Sequence, residues 1–149
     1  MTWITETKKD GKMNKNRTLP HPFPFRKEWV ITGAEKSMDD FAKNAGEYMA
    51  PLDDKDKQGL TNSQIRNVFG EIKRIQMKGF DDQSSKSSFY LLKAKVAYAH
   101  GRQKTKGMDL FKKIFDLGWD LVDTSQKYKN FCDLLEAILA YHKAFGGKD

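Results

Sequence analysis

Residues Gly107 to Asp123 are apolar around nearly the whole circumference of a helix: Met108, Leu110, Phe111, Ile114, Phe115, Leu117, Trp119, Leu121 and Val122 leave only Asp109, Lys112, Lys113, Asp116 and Asp120 as a narrow polar strip. A surface helix needs only one apolar stripe, so a segment like this lies at the centre of an assembly or gives half its surface to another subunit. It constrains the fold more than any other feature, because it demands further helices to cover it.

The chain supplies them. Met38 to Ala50 reads as a helix with Ser37 as N-cap, Asp39 and Asp40 in its opening turn, and Phe41, Ala45 and Tyr48 on one face. Pro51 stops it, and Asp53 to Gly59 reads as a polar, flexible loop. Thr61 and Gln64 then form a capping box that opens a helix to Lys78, on which Ile65, Val68, Phe69, Ile72 and Ile75 recur at three- and four-residue steps. Asp81 to Ser88 reads as a solvated tract. Phe89 to His100 follows as a helix with Leu92, Val96 and Ala99 inward, and Gly101 suits the left-handed position that ends it. The last helix, Gln126 to Phe145, carries Tyr128, Phe131, Leu135, Ile138, His142 and Phe145 on one side before Gly146-Gly147. No strand pattern competes, so the expectation is an all-α fold, a single compact bundle of about five helices.

Residues 1–35 differ from the rest. Lys8, Lys9, Lys12, Lys15 and Arg17 crowd a stretch of little apolar periodicity, and Pro20-His-Pro-Phe-Pro24 forbids a helix. The domain expectation is therefore a basic, Pro-containing arm over 1–35 and a helical bundle over 36–149. Phe23, Phe25 and Trp29 are too apolar for a free tail, so this part of the arm should dock on the domain or on a neighbour. Cys132 is the one cysteine and falls inside an apolar-periodic segment, which makes it a small core residue. No apolar run of membrane-spanning length and no signal-peptide core occurs, and a cytoplasmic protein without membrane contact is expected.

Twenty-seven Lys and Arg against twenty Asp and Glu give a net charge of +7, which favours a polyanionic partner. Position decides whether this charge is a site. Arg66 and Lys73 are seven residues apart on one helix, and Lys95 and Arg102 repeat that spacing, with Arg102 just past the expected helix end. Arg74 points to the more exposed side. Between residues 93 and 113 seven cations face Asp109 alone, around the loop Gly101 to Gly107. Such a cluster can follow a phosphate backbone, and equally it can be a solvated loop kept basic for solubility. The core spacing of most aromatics leaves Tyr90, Tyr98 and Tyr141 as edge residues.

Catalytic constellations are missing. His21 lies in the arm, His100 at a helix end and His142 on an apolar face, and no pair has metal-ligand spacing. No glycine-rich phosphate loop, nucleophile elbow or paired-carboxylate motif occurs. The sequence therefore points to a non-enzymatic protein with no metal and no cofactor. Two other classes compete with binding along a phosphate backbone: a scaffold whose basic surface meets acidic proteins, and a helix-turn-helix DNA reader using the helix after Thr61.

Three stretches carry a resemblance: Leu60-Thr-Asn-Ser-Gln-Ile-Arg-Asn67, Lys95-Val-Ala-Tyr-Ala-His-Gly-Arg102, and Phe131 through Leu135-Glu-Ala-Ile-Leu-Ala-Tyr-His-Lys-Ala-Phe-Gly-Gly-Lys-Asp149. In order and spacing they resemble the small helical subunit of the type III-A CRISPR RNA-guided effector, the Csm complex, over residues 38–149. The resemblance implies a small bundle present in several copies along the complex, contacting guide RNA and its paired target RNA without cleaving either. Its partners would be those RNAs, the other Csm subunits and copies of itself, in antiviral defence. By motif position the RNA-binding residues it implies are Arg66, Lys73, Lys95 and Arg102, with Lys143 and Lys148 from the C-terminal match. The longer, proline-rich arm departs from the family pattern.

Overall fold

In the computed structural model, residues 25–147 are described, together with a short antiparallel backbone pairing of Lys8–Lys9 with Lys12–Met13 that the sequence pattern does not anticipate. The remainder of the arm, with His21 and Phe23, and the C-terminal Lys148 lie outside the described residues. From residue 25 onward every regular element is a helix: α1 (Glu28–Ile31), α2 (Lys36–Met49), α3 (Asn62–Lys78), α4 (Gln83–Arg102), α5 (Lys106–Trp119) and α6 (Ser125–Ala144). The all-helical bundle expected from periodicity is what forms, with α1 as an additional short element.

Most of the long helices begin where a short polar side chain meets an amide that the helix leaves unpaired. Thr61 and Gln64 make the expected capping box, with the Thr61 amide donating to Gln64 Oε1 at 2.8 Å. Asp82 caps α4 through the Ser84 amide at 3.1 Å, Thr105 caps α5 through Met108, and Thr124 caps α6 through Lys127. Asp82 explains one correction. The tract expected to be solvated, Asp81 to Ser88, is mostly the first turns of α4, and Ser85 is buried in it. At its other end α4 continues through Gly101 to Arg102, so Gly101 is helical and not a left-handed terminator. A second correction concerns Ser37. It lies inside α2, whose N-cap is Glu35, and its hydroxyl accepts instead from the Trp29 indole at 3.1 Å.

The core lies against one face of α5, which is less apolar all round than expected: it ends at Trp119, short of Asp123, and Leu117 on its outer side is 39% exposed. Met108, Phe111, Ile114 and Phe115 are fully buried, and Phe115 meets Phe131 of α6 edge-on at 5.3 Å between ring centroids. Helices α2 and α6 approach so closely that a Cβ on Gly46 would sit 2.6 Å from the His142 backbone nitrogen. The docking expected of the arm's aromatic part is seen for Phe25 and Trp29: Trp29 is buried, packing on Phe41 at 5.0 Å, and Phe25 covers both. Buried Asn130 of α6 donates to the Val30 carbonyl at 2.8 Å, so the core begins on the N-terminal side of residue 36. Cys132 is buried as expected, and that burial pushes its thiol up to about 12.

The long connection between α2 and α3 is better ordered by hydrogen bonds than its polarity suggests. Asp53 and Asp56 accept from the amides of Lys55, Leu52 and Gln58. Gln58 in turn accepts from the amides of Lys106 and Gly107, fixing the loop to the start of α5. Leu60 is buried, and its carbonyl faces His142 Nε2 at 2.7 Å.

Candidate nucleic-acid interface

Helices α3 and α4 run side by side, yet between them lies a groove of about 960 Å³. Its α3 wall carries Arg66, Asn67, Gly70, Glu71 and Arg74, and its α4 wall carries Leu91, Ala94, Lys95, Tyr98 and Arg102. The steps of four from Arg66 through Gly70 to Arg74 put these three on one face of α3. At Gly70 nothing lies within 4 Å of where a Cβ would stand, so the groove is open at its middle. The extension of α4 to residue 102 matters here, because it keeps Arg102 on the same helical face as Lys95.

Of the residues singled out by sequence, Arg66, Lys95 and Arg102 meet in this groove. Lys73 does not. Seven residues from Arg66, it lies at the edge of α3 toward α6 and pairs with Glu136 at 3.1 Å, an exposed and therefore weak contact. Lys143 lies in the last turn of α6, outside the groove lining, and Lys148 is beyond the described residues. The seven cations between residues 93 and 113 do not form one cluster either. Lys93 pairs with Asp120 at 3.2 Å and stands 4.9 Å over the Trp119 ring, and Lys112 pairs with Asp116 at 2.7 Å.

Two groove residues escaped the sequence reading. Arg74, set aside as outward-pointing, completes the Arg66–Gly70–Arg74 ladder, a signal that was present in the spacing. Glu71 is the one acidic residue in the groove lining; it accepts from Arg74 and, across the helix pair, from Lys95 at 3.3 Å. The guanidinium of Arg74, and after it the Lys95 ammonium, hold the Glu71 carboxyl below the ordinary carboxylate value against the opposing effect of its partial burial. Four cations thus face one carboxylate. Arg66 and Arg102 have no carboxylate partner among the described residues, and the Arg102 guanidinium lies 5.9 Å from the centre of the Tyr98 ring.

Of the two described histidines, His142 is sealed and His100 is half-buried beside Asp109. His142 is fully buried, desolvation lowers its pKa below the ordinary histidine value, and a sealed imidazole cannot exchange protons with a substrate. His100 is 2.5 Å from Asp109. Among the described residues, no three His, Cys, Asp or Glu side chains gather to hold a metal ion. Residues 50–61 separate α2 from α3, whereas a helix-turn-helix reader needs a turn of about three or four residues. No helix of the described residues is long and apolar enough to cross a membrane.

Fold and groove together define a small, basic, all-helical protein with a cation-lined cleft between two of its helices. The family model for Csm2 Type III-A matches residues 35–148, more than three quarters of the chain. The chain belongs to this family, and is accordingly a small subunit of the Csm complex in type III-A CRISPR defence. It associates with other Csm subunits. No curated protein matches the chain.

Proposed function

We propose that this subunit binds the backbone of the guide RNA paired with its target RNA, without sequence specificity and without catalysis, while stacking on copies of itself along the complex in the cytoplasm. One observation carries the reading: Arg66, Arg74, Lys95 and Arg102, from two helices, converge on one open groove against a single carboxylate. In a guide-directed machine base pairing supplies the sequence specificity, so the protein needs only charge and shape complementary to a duplex backbone. Cations that pair with phosphates release counterions on binding, and affinity then falls steeply with salt. Lys143, outside the groove lining, and Lys148, which lies beyond the described residues, are secondary contacts in this reading.

The test is to substitute Arg66→Glu together with Arg102→Glu and to measure RNA affinity of the assembled complex. Weaker binding at intact helicity is expected. Unchanged affinity at about 0.1 M salt contradicts the assignment.

A second reading, docking of an acidic protein segment, draws support from Leu91 and Tyr98, which line the same groove and are 59% and 67% exposed. An anionic peptide competing with RNA for the groove at equal charge would favour it; indifference to the peptide favours RNA.

A further inference from the structure

Glu71 occupies an unusual place. Its side chain is only 17% exposed, while the Arg74 and Lys95 side chains that converge on it are 56% and 45% exposed. Ion pairs with so much solvent around the cations contribute little to stability. What the carboxylate does accomplish is geometric: it holds two long side chains, one from α3 and one from α4, on a single pair of oxygens inside a groove where Arg66 and Arg102 have no such partner. A carboxylate and a phosphodiester present similar paired anionic oxygens to a guanidinium or an ammonium group.

We propose that Glu71 is a resident stand-in for an RNA phosphate, which gathers Arg74 and Lys95 into a phosphate subsite and must give them up when RNA enters. The inference rests on the RNA-binding reading and adds to it one residue, Glu71, and a tuning device. In the free subunit Arg74 and Lys95 share one carboxylate, which offsets one of the four positive charges in the groove. Binding a phosphate at this subsite therefore exchanges one anion for another and releases fewer counterions than binding at Arg66 or Arg102. The consequence is restrained affinity for stray RNA, which a subunit assembled onto a particular guide requires, because backbone recognition alone does not discriminate.

The test uses the full chain and a fluorescein-labelled RNA duplex of about 20 base pairs, titrated between roughly 50 and 200 mM salt. E71Q preserves the shape and removes the competing charge. It should bind tighter, with the slope of log affinity against log salt steepened by up to about 1, for the one negative charge removed. Adding R74Q and K95Q to E71Q should return the slope to the wild-type value or below. An unchanged slope, or weaker binding by E71Q at equal melting temperature, overturns the inference while leaving wild-type RNA binding intact. Absence of binding by wild type and E71Q alike sinks the RNA reading and this inference together. If E71Q loses helicity, K95Q and R66Q decide. Competition by Glu71 makes K95Q flatten the wild-type salt slope less than R66Q, and an equal or larger flattening by K95Q overturns the proposal.

Discussion

The α2–α6 seam and the α3–α4 pair are both built from neighbouring helices, and a glycine in each shows how differently they close. At Gly46 an added Cβ would meet the His142 nitrogen and Tyr141 Cβ at 2.6 Å and the Ile138 carbonyl at 2.9 Å. At Gly70 it would meet nothing within 4 Å. The first glycine is small so that two backbones can approach; the second stands over open space. One side of the molecule is packed to hold the bundle together, and the other is left ajar with its cations facing the gap. Helices α3 and α4 still give Val68, Ile72, Leu92 and Val96 to the common core, so the opening lies on the solvent side of the pair, where the cations stand.

The sharpest way to break this comparison is Gly46→Ala. Overpacking against backbone atoms outweighs the gain in helix propensity, and a net loss of about 2 kcal/mol is expected, a fall in Tm of roughly 6 °C by thermal denaturation. A variant as stable as wild type would mean that the seam can spread and is not the rigid half.

How much of this asymmetry was legible beforehand differs between the two sides. The closed side was written in periodic apolar residues. Phe111, Ile114 and Phe115 on α5 and Phe131, Leu135 and Ile138 on α6 all fall where three- and four-residue steps place them. The open side was legible only in part. Arg66, Lys95 and Arg102 were found from seven-residue spacing, but the same rule also selected Lys73, which Glu136 of α6 draws to the other edge. Spacing fixes the angle of a side chain about its own helix and says nothing of which neighbour lies there. Glu71 is visible in sequence as a local partner of Arg74 three residues on, whereas its bond to Lys95 depends on how α3 lies against α4. The start of α4 was hidden for a different reason. A serine-rich tract has weak helical preference by itself, and the Asp82 cap together with the burial of Ser85 and Phe89 overrides it.

A smaller effect sharpens the comparison from the pH side. His142 is sealed in the seam with its pKa lowered by burial, so the folded state binds its proton less readily than the unfolded chain does. That neutral imidazole is fully tolerated above the unfolded value of about 6.5, and stability is lost as pH falls below it toward the lowered folded pKa. Denaturant titrations at about pH 7.5 and about pH 5.5 should show a loss with a slope of at most about 1.4 kcal/mol per pH unit from this one proton. In His142→Asn that slope should flatten, whatever the variant's absolute stability. A slope retained in the variant would place the pH dependence elsewhere.

The smallest expected effect lies on the open side. Gly70→Ala adds a methyl group to empty space in a mid-helix position and should raise stability by about 0.5–1 kcal/mol, a Tm increase of roughly 2 °C. Destabilisation there would show that α3 and α4 come closer in solution than the groove allows.

Amide hydrogen exchange of the full chain with and without a duplex of guide and target RNA tests the division of labour most directly. The account predicts slowed exchange confined to the peptides of α3 and α4 around Arg66, Arg74, Lys95 and Arg102, with the α2 and α6 peptides unchanged. Protection centred on α2 and α6, with α3 and α4 unaffected, would contradict it.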